Sequence, residues 1–390
     1  MMMEKTGPNW PLLALAVGAF GIGVTEFAPM GMLPVIADGV DVSIPSAGLL
    51  VSAYAVGVMV GAPFMTLLFS RFGKRTALIA LMSIFTLGNV LSAFAPDYWT
   101  LLIARVVTSL NHGAFFGLGA VVAASLVRPE KQATAVATMF MGLTIANIGG
   151  VPVATWIGQQ IGWREAFGAT ALLGIITMGG LALALPKSAA GKRPDVRREL
   201  QVMMRPDVLL PLLTTVLGAS AMFVLYTYVA PILQNQTGAS EGFITIALVL
   251  IGVGFTIGNY VGGRAADWSL TGAASMFLAL LSLMMFLSPV LLGTHIGAAI
   301  TMVIWGMAAF AIVPPLQMRV MQAASEAPGL ASSINIGAFN LGNAIGAGIG
   351  GMVINAGVDY AYVPVAGGVA ALAALALVQI SRRLPQAQAC

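Results

Sequence analysis

Apolar runs of 20 or more residues recur along the chain at even spacing, each closed by a short polar break. They predict membrane-spanning helices near 11–37, 46–69, 76–95, 100–125, 133–158, 165–185, 208–233, 243–263, 272–293, 296–316, 329–354 and 361–381. A spanning helix needs about 20 mostly apolar residues, so twelve use roughly 240 positions and leave short loops. Barrel strands would instead alternate over segments of about ten residues, and these runs are longer and do not alternate. The first run follows a single lysine, as a signal peptide would, but stays apolar to about Ile36 with no small-residue cleavage site. It therefore reads as the first span. The expected fold class is an all-α membrane protein of twelve transmembrane helices.

The longest polar stretch, Pro186 to Asp207, carries six basic and three acidic residues and divides the spans into two groups of six. The predicted organisation is an N-terminal six-helix bundle over 1–185, a cytoplasmic linker over 186–207 and a C-terminal six-helix bundle over 208–390. The halves repeat one another. Gly57, Gly61 and Ser70 fall 197 positions before Gly254, Gly258 and Asp267, and Asn147 falls 196 before Asn343. Internal duplication in a membrane chain is a signature of secondary transporters, with the solute bound near mid-membrane between the repeats. Small residues four apart recur on every third span: Gly57/Gly61, Gly150/Ala154/Gly158, Gly254/Gly258/Gly262 and Gly342/Gly346/Gly350. Such stripes let helices approach closely in lipid, and their spacing suits helices that rock against the opposite half.

Composition agrees with this picture. The 390 residues are 58% hydrophobic and 8% charged, against roughly 25% charged in soluble domains. The formal charge of +4 could point to an anionic partner, but the distribution of charges explains it without nucleic acid. One set of connections carries Arg71, Lys74, Arg75, Arg128, Lys131, Lys187, Lys192, Arg193, Arg197, Arg198 and Arg205, and the tail adds Arg382 and Arg383. The opposite set carries Asp38, Asp41, Asp97, Glu241 and Asp359, with Arg164 its one basic residue. By the positive-inside rule both termini are expected in the cytoplasm of a bacterial-type inner membrane.

Several motifs resemble the major facilitator superfamily, and within it the drug:proton antiporters allied to arabinose and sugar efflux permeases. They are Gly23 to Pro34 on the first span, Arg105 to Gly117 on the fourth, Gly142 to Pro152 on the fifth, Gly258 to Asp267 on the eighth and Ala331 to Gly351 on the eleventh. The resemblance covers essentially the whole chain. It implies two pseudo-symmetric six-helix bundles and proton-coupled efflux of a small molecule such as a sugar or amphipathic drug. Uptake by symport or facilitated diffusion is the alternative. It also implies gating roles for the loop Arg71-Phe-Gly73-Lys74-Arg75, for Gly142 and Pro152 of the fifth-span antiporter motif, and for Gly263 and Asp267. Two departures stand out. Thr66 and Ser70 replace the Gly and Asp that usually precede the basic loop, whereas the second copy keeps Gly263 and Asp267 and loses the basic run. The Gly-Gly that usually closes the fifth-span motif reads Ala154-Thr155.

Candidate chemistry narrows to a few buried polar residues. Glu26 lies 15 residues into the first predicted span, about 22 Å deep. It is the one acidic residue far from a span end in the first half, and the second half has none. An ionisable group at that depth is costly and by default faces a functional cavity. Arg105 is the basic residue well inside a span, and helical spacing puts Ser109 and His112 on its face. The resemblance assigns this arginine to a proton-relay motif, and His112 belongs to the residue type that titrates near working pH. The expected proton-coupling set is Glu26, Arg105 and His112. Tyr54, Asn111, Asn147, Tyr226, Tyr228, Trp305, Gln317, Asn335, Asn340 and Asn343 are candidates for the solute cavity. Two histidines and one cysteine, Cys390, offer no metal cluster, and no phosphate-binding loop or activated nucleophile is present. The chain is therefore expected to be no enzyme, to use no cofactor or metal, and to work as a monomer on a small-molecule substrate and protons in the lipid bilayer, with no nucleic-acid partner.

Overall fold

The computed structural model describes residues 9–42, 44–187 and 195–382. Lys192 and Arg193 of the expected linker, Arg383 and Cys390 lie outside the described residues. Twelve helices long and apolar enough to cross a membrane are present among the described residues: α1 (Trp10–Gly39), α2 (Ser46–Phe69), α3 (Lys74–Ala93), α4 (Tyr98–Ser125), α5 (Pro129–Gln160), α6 (Trp163–Ala184), α7 (Pro206–Tyr226), α8 (Gly242–Trp268), α9 (Leu270–Leu291), α10 (His295–Ala323), α11 (Pro328–Asn355) and α12 (Tyr360–Ser381). Each expected span has its helix. Entry to several is set by a side chain that takes up an orphan amide of the first turn. Asp97 accepts from Thr100 N at 2.9 Å, Ser240 from Phe243 N at 3.2 Å and Thr294 from Gly297 N at 3.1 Å.

Three helices depart from regularity, and each departure has a local cause. Pro152 has no amide to donate, and α5 widens into a π turn over Ala146–Gly150 just before it. In α10 the pair Pro314-Pro315 follows a turn at Ile312, after which the helix restarts and runs to Ala323, beyond the expected end at 316. The seventh expected span, 208–233, is broken after Tyr226, and a separate helix, Val229–Thr237, ends at Gly238 with φ 62°. That left-handed turn suits glycine.

The four small-residue stripes do close helix pairs, but inside each half rather than between halves, which corrects the expectation above. A Cβ on Gly57 or Gly61 would strike Ser109 or Leu110 of α4, and one on Gly150 or Gly158 would strike α1 at Val24 and Phe20 or at Met32. The second half repeats this register: Gly254, Gly258 and Gly262 press on Val303, Met307 and Ala311 of α10, and Gly342, Gly346 and Gly350 on α7 between Val216 and Val224 and on Tyr228 just past its end. The equivalent pairs are thus α2–α4 with α8–α10, and α5–α1 with α11–α7. Two helices this close lock as one body. The halves meet instead along α5 with α8, and along α2 and α4 with α11.

Hydrogen bonds across that seam gather at one end of the bundle. Thr66 of α2 pairs with Ser333 of α11, whose hydroxyl also donates to Gly113 O at 3.1 Å. Asn259 of α8 donates to Ala137 O of α5 at 2.6 Å. Asp267, one residue from the end of α8, accepts from Ala133 N at 2.8 Å and Thr134 Oγ1 at 2.5 Å at the start of α5. Ends of even helices and starts of odd ones share the side on which α1 begins and α12 ends, so this is the chain-end side of the bundle. At the same side Arg205, just before α7, bonds Asp207 and reaches Glu326 at 2.8 Å. The Asp207 hydrogen bond first, then Glu326, pushes the Arg205 guanidinium further up from its already high pKa.

Candidate functional site

A cavity lies where the two halves meet. It sits about one to three turns along α11 from the Ser333 seam, at Ile336 to Asn343, and α1, α4, α5, α7, α8, α10 and α11 all contribute to its wall. The wall is mainly aromatic: Phe27, Phe116, Phe140, Phe223, Tyr226, Phe255, Phe310 and Phe339 surround a few polar groups. Several rings brace one another, with Phe116 on Phe140 at 4.9 Å and Phe255 on Phe310 at 4.2 Å between centroids. Offset packing of this kind holds a wall rigid. The polar atoms come from Glu26, His112, Asn147, Asn340, Asn343 and the Tyr226 hydroxyl.

Glu26 is the carboxylate of this cavity, and its side chain is half-buried. Pro29, three residues on, cannot donate to the Thr25 carbonyl four positions before it, so α1 lacks one helical hydrogen bond beside the carboxylate. Arg105 is brought to the same region but one layer behind the wall. It is 1% exposed. Its Nη1 donates to Thr25 Oγ1 at 3.2 Å, and Thr25 in turn donates to Asn89 Oδ1 at 2.7 Å. The guanidinium lies over the Tyr54 ring at 4.4 Å, and Tyr54 OH shares a 3.2 Å hydrogen bond with His112 Nδ1. Nε and Nη2 of Arg105 have no hydrogen-bond partner. Glu26 and Arg105 feel one another's charge without forming an ion pair. The chain Asn89, Thr25, Arg105, Tyr54, His112 thus runs from α3 to the cavity wall, with Thr25 next in sequence to Glu26.

The other expected cavity residues divide into three groups. Asn147, Tyr226, Asn340 and Asn343 do line the cavity. Asn147 and Asn340 each tie an amide hydrogen to the carbonyl four residues back, Leu143 and Ile336, at 3.0 Å. Tyr54 and Trp305 stand immediately behind the lining. Trp305 is fully buried against Tyr226 and Phe255, with its indole nitrogen unpartnered. Asn111, Tyr228, Gln317 and Asn335 do not line it, and the structure corrects those expectations. Asn111 faces Met82 on α3 at 3.9 Å, and Tyr228 donates to Ala347 O at 2.8 Å while packing on Gly350. Asn335 donates to Gln317 Oε1 at 2.6 Å and Gln317 bonds Ser332, which ties α10 to α11. A polar side chain on a spanning helix has two ways to satisfy itself, and periodicity alone does not choose between a cavity and a neighbouring helix. Ser109, on the Arg105 stripe, likewise bonds Val106 O and packs on Gly57.

The residues expected to gate are also scattered. Arg71 and Lys74 are exposed, Arg71 resting over Phe72 at 5.1 Å, while Gly73 precedes α3 and Arg75 lies in its first turn. Ser70 donates to Leu67 O of its own helix at 2.6 Å rather than across the seam. Gly142 lets α5 touch the Ala16 carbonyl of α1, and Pro152 follows the π turn that carries Asn147. Gly263 admits Ala137 of the opposite half, and Asp267 bridges the seam as described. Sequence reasoning missed Thr25, Asn89, Asn259 and the Thr66–Ser333 pair. Asn259 was findable as a buried amide in the second copy of the Gly-rich stretch. Small hydroxyl residues carry no comparable signal.

A family model described as Major Facilitator Superfamily matches residues 15–335. The chain is 66% identical over 382 residues to the inner membrane transport protein YdhP of Escherichia coli (strain K12), covering 98% of each. It is 33% identical over 341 residues to a chloramphenicol resistance protein of Streptomyces lividans, covering 86% of this chain and 87% of that one. A solved structure of the E. coli fucose:proton symporter FucP superposes with a TM-score of 0.78 over 97% of this chain and 100% of that one at 12% identity, a likeness of fold. With twelve apolar helices and a cavity among seven of them, the chain belongs to the Major Facilitator Superfamily and is a transporter of small solutes.

Proposed function

We propose that the protein exports a small amphipathic solute in exchange for protons across an inner membrane, with both chain ends in the cytoplasm. The observation that carries this reading is Glu26, the carboxylate of the cavity between the halves, with a buried, unpaired Arg105 one layer behind it. A carboxylate in that position binds either a proton or the polar part of a solute, so the two compete. Arg105 belongs to the same half as Glu26 and favours its charged form, whereas opening or closing the cavity between the halves changes the hydration of the carboxylate, so rocking makes the proton leave or load. His112 and Tyr54 connect the cavity to that arginine and complete the coupling set. The aromatic wall suits an apolar body with few polar atoms. Export is supported by the fifth-span motif from Gly142 to Pro152 and by the likeness to a chloramphenicol resistance protein. The basic excess on the chain-end side supports the orientation.

The test uses proteoliposomes with an imposed pH gradient and a ligand chosen by thermal-shift screening of antibiotics, sugars and nucleosides. Glu26→Gln is expected to lose gradient-driven movement while keeping ligand exchange without a gradient. Equal gradient-driven transport by the wild type and Glu26→Gln would refute the role of Glu26. Uptake of a polar solute by symport is the second reading, favoured by the three cavity amides Asn147, Asn340 and Asn343. Reversing the sign of the gradient in the same vesicles separates the two: a proton gradient directed inward drives solute out under antiport and in under symport.

A further inference from the structure

Arg319 of α10 is a buried cation that no part of the transport reading uses. It is 9% exposed and does not line the cavity. Its Nη2 donates to Ser381 Oγ at 2.5 Å, and its Nη1 is buried with no partner. The Ser381 hydroxyl donates onward to Val378 O at 2.8 Å, so it offers the guanidinium a lone pair but no charge. The acidic side chains on the chain-end side of the second half are engaged elsewhere. Asp207 and Glu326 hold Arg205, and Asp267 holds the start of α5. The carboxyl-end dipole of α12 supplies about half a negative charge, which does not balance a full positive one. A buried, unpaired charge is strongly unfavourable, and the missing partner is an anion.

The surroundings fit a phosphate group. Arg319 lies one turn from the end of α10, Ser381 closes α12, and Ser275 stands near the start of α9. Gln379 donates to Ser275 Oγ at 3.0 Å, and exposed Arg382 donates to Gln379 Oε1 at 3.2 Å. Three helix ends therefore carry two guanidiniums, one buried and one exposed, bonded to hydroxyl and amide groups, and no carboxylate takes part in these bonds among the described residues. Guanidinium forks match phosphate oxygens. Basic pockets between spanning helices on the cytoplasmic side take lipid headgroups. We propose that this mouth between α9, α10 and α12 binds a phosphate group, supplied by an anionic phospholipid of the leaflet on the chain-end side. Arg319 reaches it from within and Arg382 from the rim.

Native mass spectrometry of the purified full chain, titrated with phosphatidylglycerol or phosphatidylcholine, tests the proposal, with inorganic phosphate added alone in a parallel thermal-shift series. The wild type is expected to retain phosphatidylglycerol in preference to phosphatidylcholine. Arg319→Gln should weaken that retention by about tenfold, the loss of a charge-assisted hydrogen bond, and Arg382→Gln by less. Arg319→Lys, which keeps the charge without the fork, should fall between. A melting shift from inorganic phosphate that Arg319→Gln abolishes, without a lipid preference, supports the phosphate site and assigns it to the free ion. No phosphatidylglycerol preference and no phosphate shift in the wild type would overturn the proposal, as would equal retention by wild type and Arg319→Gln. If Arg319→Gln does not fold, the wild-type preference and Arg319→Lys carry the same decision.

Discussion

Removing the Asp267 side chain should open the chain-end side of the seam. The carboxylate accepts from Ala133 N at 2.8 Å, from Thr134 N at 3.3 Å and from Thr134 Oγ1 at 2.5 Å. It belongs to α8 and caps α5, so these bonds exist only while the two halves touch there. A side-chain cap on a helix start is worth about 1 kcal/mol, and a carboxylate at the positive end of the helix dipole adds about 0.3–1 kcal/mol. Asp267→Ala should therefore cost the closed arrangement about 2 kcal/mol and raise the open-to-closed ratio by roughly 30-fold. Asp267→Asn keeps a cap without the charge and should shift the ratio by only about two- to fivefold. The measurement is a spin-label distance between exposed Phe72 and exposed Ser325, each replaced by cysteine in a Cys390→Ser background. The wide-distance population should grow in the order wild type, Asn, Ala. A distribution unchanged in Asp267→Ala would refute the reasoning and leave the seam to Thr66, Ser333 and Asn259.

Two further outcomes are expected. Gly346→Ala would press a methyl group into the Ser220 carbonyl of α7 and come within 3.0 Å of Phe223 Cβ, whereas Gly348→Ala meets nothing within 4 Å. The first should destabilise by about 1–3 kcal/mol and the second should be neutral or slightly stabilising, as read by thermal unfolding of the two variants side by side. The hydrogen bonds from the Thr100 amide and hydroxyl hold the exposed Asp97 carboxyl below its usual pKa. A depressed folded-state pKa gives a stabilisation that is complete above the ordinary aspartate value and fades as the pH falls through the folded one. The melting temperature of the wild type should therefore drop relative to Asp97→Asn below about pH 4, and parallel curves down to pH 3 would count against the cap.

The number of spans and the repeat of the glycine stripes were legible in the sequence because each depends on local composition. A bilayer selects about 20 apolar residues at a time, and basic residues sort to one side of each span, whatever the helices later pack against. Glu26 was legible for the same reason: a carboxylate so far from either end of a span stands out without any knowledge of its neighbours. Which face of a helix looks inward was not legible. Asn111 and Asn147 read alike on their helices, yet one turns to Met82 and the other to the cavity. The glycine stripes announced close packing but not the partner, and only the folded halves showed α2 against α4 and α11 against α7. Arg105 could be placed on the His112 face, but its position behind Tyr54 depends on α1, α2 and α3 at once. In lipid the hydrophobic effect does not distinguish one apolar face from another. Close packing and polar pairing between helices decide the inward face, and both require the partner helix to be present.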